Sequence, residues 1–183
     1  SYHVLNIAIH AAAALALFGL VRRTLALRPL SGPAAGSPAW AALVVALLWA
    51  LHPLQTESVS LVSQRTETLC GLFYLLTLFA FARTATGGHS RRWLALSVVA
   101  CWAGMAAKEV IVTAPLIVLL YDRTFVAGSF AAAWRQRRGY YGALFASWVL
   151  LGWLVSGSGG TRGDAAGLGL GISAWEYLLT QCQ

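Results

Sequence analysis

The sequence predicts an all-α, polytopic integral membrane protein with about six transmembrane helices and the start of a seventh. Three observations carry that reading. The 183 residues are 58% hydrophobic and only 10% charged, with a mean hydropathy of +0.68, where a soluble domain carries about 25% charged residues. Apolar segments recur at residues 4–21, 40–51, 69–82, 93–107, 110–120 and 140–155, and residues 172–183 open a further one. The Lys and Arg side chains between them divide unevenly between two sides.

A span needs about 20 apolar residues, or fewer where the bilayer thins or the ends are polar. Several segments are shorter, so charge arbitrates. If each crosses once, one set of loops holds Arg22, Arg23, Arg28, Arg83, Arg91, Arg92, Arg123, Arg135, Arg137 and Arg138, ten of the thirteen basic residues. The other side holds Arg65, Lys108 and Arg162, and five of the six acids: Glu57, Glu67, Glu109, Asp164 and Glu176. The bias places the first set in the cytoplasm. The net charge of +7 is therefore a topology signal. No basic run is interleaved with exposed aromatics, so nucleic acid is not expected as a partner.

In the first segment His3, Asn6 and His10 are spaced i, i+3, i+7 and share one helix face. Polar side chains facing lipid are costly, so this face is expected to meet other helices. Two His with no acid nearby are a weak metal signal. The second segment ends at His52, because Pro53 disfavours helix there. Residues 93–120 are expected to form two short helices with Lys108 and Glu109 at the outer turn, since one long helix would bury a Lys mid-membrane. Residues 30–38 and 156–171 are Pro- and Gly-rich linkers, and the second contains no phosphate-cradling GK[ST]. Cys70, Cys101 and Cys182 lack CxxC spacing and read as small buried side chains. Residue 1 is Ser and the sole Met is Met105, so the chain reads as a single transmembrane domain fragment spanning residues 1–183.

The polar island HPLQTESVSLVSQRTE at residues 52–67 breaks the apolar pattern. Thr56 can cap a new helix, and Glu57 in its first turn suits the positive helix end. At 100° per residue from Glu57, Ser60 falls at about 300°, Gln64 at about 340°, Arg65 at about 80° and Glu67 at about 280°. Val59, Val62 and Thr66 fall on the opposite side, and Leu61 is a misfit. The island reads as an amphipathic helix at the outer membrane surface. Its plain alternative is a solvated charged face. Its sharper reading is a site for a phosphorylated lipid. Arg65 and Lys108 are the cations on this side apart from Arg162, and an Arg fork matches two phosphate oxygens. Glu57 and Glu67 are the candidate catalytic acids, able to orient an acceptor hydroxyl or to coordinate a divalent metal. His52, Gln55, Gln64 and Glu109 are supporting candidates.

The pieces YHVLNIAIHA, HPLQTESVSLVSQRTETLCGLFYLLTLFAF and AAKEVIVTAPLIVLLYDRTF resemble the multispanning half of the transmembrane and tetratricopeptide-repeat O-mannosyltransferases and their bacterial relatives. These belong to the glycosyltransferase-C superfamily. The resemblance implies an enzyme that takes a sugar, usually mannose, from a polyprenyl- or dolichyl-phosphate carrier. It passes the sugar to a hydroxyl of a protein or glycan on the non-cytoplasmic side. It also implies a key acid in a first outer loop and C-terminal tetratricopeptide repeats, both expected outside these residues, so the fragment alone is expected to be inactive. The expected location is the bacterial cytoplasmic membrane, or the endoplasmic reticulum membrane in a eukaryote. A secondary transporter and a non-catalytic anchor for repeats are the alternatives. A transporter would place charges near the bilayer midplane, whereas here they cluster at one surface.

Overall fold

The computed structural model describes residues 2–27, 37–53, 65–86 and 91–157. Every regular element in them is helical. Helix α1 is Tyr2–Leu27, α2 Pro38–Ala50, α3 Arg65–Thr86 and α4 Arg91–Ala107. A 3-10 turn at Glu109–Thr113 leads into α5, Ala114–Tyr121, which loosens into a π-helical stretch at Asp122–Ala127. Helix α6 is Phe130–Gly157. Among the described residues, three stretches are long and apolar enough to cross a membrane, His3–Leu27, Thr66–Ala85 and Val110–Ala127. Large apolar side chains such as Val4, Leu15, Leu48 and Val99 stand exposed along the helices, as they do on lipid-facing surfaces.

Local chemistry sets the ends. Pro38 sits in the first turn of α2, where its missing N–H costs nothing, and the Ser37 hydroxyl accepts from the Ala39 N–H at 3.3 Å. Between α4 and α5 the chain is extended at Lys108 (φ −158°, ψ 145°). The Lys108 N–H closes the last turn of α4 on the Gly104 carbonyl at 2.9 Å. The chain then folds back, and Ile111 packs where a side chain at Gly104 would sit. Two short segments thus replace one long helix, and the ammonium stays out of the apolar middle. Gly128 ends the π-helical stretch at φ +77°, a left-handed conformation that glycine adopts without strain.

Contacts fix the directions. Glu67 meets Lys108. The Ser97 hydroxyl donates to the Thr77 carbonyl at 2.8 Å, and Phe79 meets Trp93 edge to face at 6.2 Å, so α4 runs antiparallel to α3. Tyr74 bonds Thr113 at 3.4 Å and Phe81 meets Tyr121 at 6.1 Å, so α5 runs parallel to α3. Helix α1 packs along α3 with Gly19 and Arg23 against Phe79. Its far end joins α2, where His10 bonds the Ala50 carbonyl at 3.0 Å and stacks on Trp49 at 5.0 Å. Between them lie the buried Phe81, Met105, Ile111, Val118, Tyr141 and Leu144. The chain divides into two units at Ser147. In the second, residues 148–157 continue α6 and expose Val149 and Trp153.

Two expectations change, and two others fall outside the described residues. The proposed amphipathic helix falls largely on residues 54–64, which lie outside the described residues, as does the opening of a seventh segment. Arg65 and Glu67, assigned to that surface helix, form the first turn of α3 instead. An acid in a first turn favours such a start, because the first four N–H groups lack helical partners. In the stripe on α1, Asn6 is fully buried and His10 turns to α2, but His3 is exposed. It sits in the opening turn of α1. Cys70 and Cys101 are free and buried, as expected.

Candidate functional site

The bundle has two polar ends. At the first, α3 begins and α4 ends. Glu67 comes from the first turn of α3, and Lys108 from the extended residue after α4. Lys108 Nζ donates to Glu67 Oε1, forming an ion pair whose side chains are 37% and 48% exposed respectively. Where water reaches both partners such a pair contributes about 0–1 kcal/mol. It is therefore a weak fastening for the fold, and an incoming anion can draw Lys108 away from Glu67 at small cost.

The other candidate residues are placed less fully. The backbone of Arg65 opens α3, two residues before Glu67. Glu109 follows Lys108 as the first residue of the 3-10 turn. His52 follows Leu51, the C-cap of α2, and is exposed; its N–H reaches the Trp49 carbonyl at 3.4 Å. Gln55, Glu57 and Gln64 lie outside the described residues. The structure thus joins Glu67 to Lys108 directly. Among the described residues no group of three His, Cys, Asp or Glu is arranged to hold a metal ion.

At the opposite end lies a cluster that the sequence reading missed. Asp122 is completely buried. Arg137 Nη1 donates to Oδ1 at 3.1 Å and to Oδ2 at 3.0 Å. The Tyr141 hydroxyl donates to Oδ2 at 2.6 Å. The Arg137 guanidinium also lies 5.7 Å from the Phe81 ring centroid. Its backbone leaves helical geometry to reach this position (φ −133°, ψ 32°). Behind it, Tyr140 bonds the Ser97 hydroxyl at 2.7 Å. One signal was available: Asp122 is the sole acid in the arginine-rich loops, directly after an apolar run.

The chain is similar to protein O-mannosyl-transferase Tmtc2 of Drosophila melanogaster, 33% identical over 126 residues, which is 66% of this chain. It is 32% identical over 126 residues to protein O-mannosyl-transferase tmtc2 of Xenopus laevis, 67% of this chain. It is 34% identical over 96 residues to protein O-mannosyl-transferase TMTC4 of Homo sapiens, 49% of this chain. The chain belongs to this family of protein O-mannosyl-transferases. No family model and no solved structure matches it. The chain spans 12–14% of the length of these relatives.

Proposed function

We propose that this chain is part of the membrane core of a glycosyltransferase-C-like enzyme, with six spans. The enzyme moves mannose from a polyprenyl-phosphate carrier to a protein hydroxyl on the non-cytoplasmic face. The observation that carries the reading is the exposed Glu67–Lys108 pair, set at the end of the bundle opposite the arginines. Displacing a lipid phosphate from an anomeric carbon needs cations for the leaving phosphate and a base for the acceptor hydroxyl. Lys108 and Arg65 are the cations in this reading. Glu67 and Glu57 are the acids, and His52, Gln55, Gln64 and Glu109 shape the surroundings. When the carrier enters, its phosphate takes the place of Glu67 on Lys108 and frees a carboxylate beside the reacting bond. A divalent metal is a second use for those acids, and the acceptor set includes glycans as well as protein.

The carrier's isoprenoid tail needs apolar surface open to lipid. A groove of about 500 Å³ between α1 and α2, lined by Leu15, Phe18, Leu43 and Leu47, is of that kind. The test uses the full-length protein in sealed vesicles, with a mannosyl-phosphate polyprenol in the bilayer and a Ser/Thr peptide on one side. Mannosyl transfer is expected only when the peptide shares the side of Lys108, and Lys108→Gln should lower it at least about tenfold, one charge-assisted bond lost. Transfer to peptide on the arginine side, or an unchanged Lys108→Gln rate, would refute the assignment.

A further inference from the structure

The first turns of α6 are set off from the rest of that helix. The apolar stretch Val110–Ala127 ends, Gly128 turns the chain at φ +77°, and α6 begins at Phe130. The Ser129 hydroxyl accepts from the Ala132 N–H at 3.2 Å, and the Ser129 carbonyl accepts from the Ala133 N–H at 3.0 Å. These bonds satisfy N–H groups that a new helix leaves open. At Arg137 the backbone leaves helical geometry (φ −133°, ψ 32°), and two helices join there across a kink. Residues 130–136 are thus a short helix with an axis of its own. Its level is fixed at both ends. It starts directly after a stretch long enough to cross a membrane, and Arg137 closes it onto Asp122, the first residue of the π-helical stretch.

The side chains of this short helix sort into three directions. With Phe130 at zero and 100° per residue, Trp134 falls at about 40°, Ala133 at about 300°, and Arg135, Ala132 and Gln136 between about 140° and 240°. Ala133 is fully buried, so its direction faces the bundle. Phe130 and Trp134 are 49% and 47% exposed. Each is held on one side only: Arg123 lies 4.6 Å from the Phe130 ring centroid, and Trp134 stacks on Tyr141 at 5.9 Å. Arg135 and Gln136 are exposed on the side facing away from the two rings. Arg123 and Arg138, just beyond the two ends, are exposed as well. An exposed aromatic pair at the end of a spanning stretch, opposite polar side chains, is the pattern of the membrane interface. Trp rings sit there at headgroup level, and Arg stems lie along apolar surface with the charge in water.

We propose that residues 130–136 form an in-plane anchor whose partner is the lipid surface at the arginine-rich end, with Phe130 and Trp134 seated where headgroups meet acyl chains and Arg135 and Gln136 in the water outside. Continuity with the lipid-facing spans favours lipid over a soluble partner, because the segment leaves a membrane-length stretch by one tight turn. This surface stands apart from the Lys108 end and does not depend on the transfer reaction.

The experiment places single nitroxide labels in full-length protein that lacks its other cysteines, reconstituted into phosphatidylcholine–phosphatidylglycerol vesicles. The variants are Phe130→Cys, Ala132→Cys, Trp134→Cys, Arg135→Cys and Gln136→Cys. Collision rates with oxygen, which concentrates in lipid, and with a water-soluble nickel chelate give the depth of each label. Labels at 130 and 134 should show an oxygen-to-nickel ratio several-fold above those at 132, 135 and 136. A ratio that climbs steadily from 130 to 136 would make the segment the start of a span and overturn the proposal. Uniformly high nickel access would place it in water and overturn it too. Dipolar broadening at 134 that persists when the protein is diluted in lipid would mean that a second copy covers the rings, against the lipid assignment. Unlabelled wild-type protein guards against a label that disturbs the fold. A phosphatidylcholine carrying a diazirine at the glycerol end of one acyl chain should mark Phe130 and Trp134 in it, and an unmarked segment 130–136 would refute the anchor.

Discussion

Asp122 and Glu67 show how differently two acids act in one bundle. Glu67 pairs with Lys108 where water reaches both, so its partner is exchangeable. Asp122 has no solvent access, and three hydrogen bonds from two side chains satisfy its oxygens. Removing one partner of a buried pair leaves an uncompensated charge, at a cost of about 3–5 kcal/mol. Asp122→Asn should therefore lower stability by that order, read as thermal unfolding of the full-length protein in detergent. Replacing Asp122 by Leu together with Arg137 by Met should be close to neutral by the same measurement. A loss below about 1 kcal/mol for Asp122→Asn would mean that Arg137 finds water or another acceptor. The pairing was not legible in the sequence. It joins residues 15 positions apart across a π-helical stretch and a glycine turn, and it needs a non-helical backbone at Arg137.

The elements themselves were legible where apolar runs set them. The break at Lys108 followed from the cost of burying an ammonium, and the structure breaks there. The element ends were less legible, because helices continue past the apolar core. Helix α3 starts at Arg65, before the run at 69–82, and α6 starts at Phe130, before the run at 140–155. Hydropathy marks what lipid can touch, not where backbone hydrogen bonds stop. The hairpin of α4 and α5 depends on close approach at Gly104, whose missing side chain leaves room for Ile111 and Phe73. Gly104→Ala should cost about 1–3 kcal/mol by overpacking. Ile111→Val should recover part of that loss in the double variant, an interaction that a double-mutant cycle of melting curves measures. Strictly additive effects would show that the contact does not limit the packing.

At the scale of the whole molecule, the charge split assigned the sides of the loops, and the contacts gather the described members of the arginine set at one end of the bundle. Position 137, the natural choice for probing that end, is a poor one, because the Arg137 side chain is only 9% exposed. Arg135 is exposed, as is Thr66 at the other end. Single cysteines at 66 and 135, in full-length protein lacking Cys70, Cys101 and Cys182, should label from opposite sides of the membrane with an impermeant thiol reagent. Labelling of both from outside intact cells would contradict the six-span arrangement. The central claim is that the polar end beside Lys108 grips the carrier phosphate, and Arg65→Lys tests it most directly. A fork on phosphate loses a charge-assisted hydrogen bond worth about 1.5–3 kcal/mol when Lys replaces Arg. Transfer from a polyprenyl-phosphate mannose by the full-length protein should then fall about ten- to a hundred-fold with unchanged expression. Wild-type turnover in both Arg65→Lys and Arg65→Ala would contradict the account and leave that end a solvated polar surface.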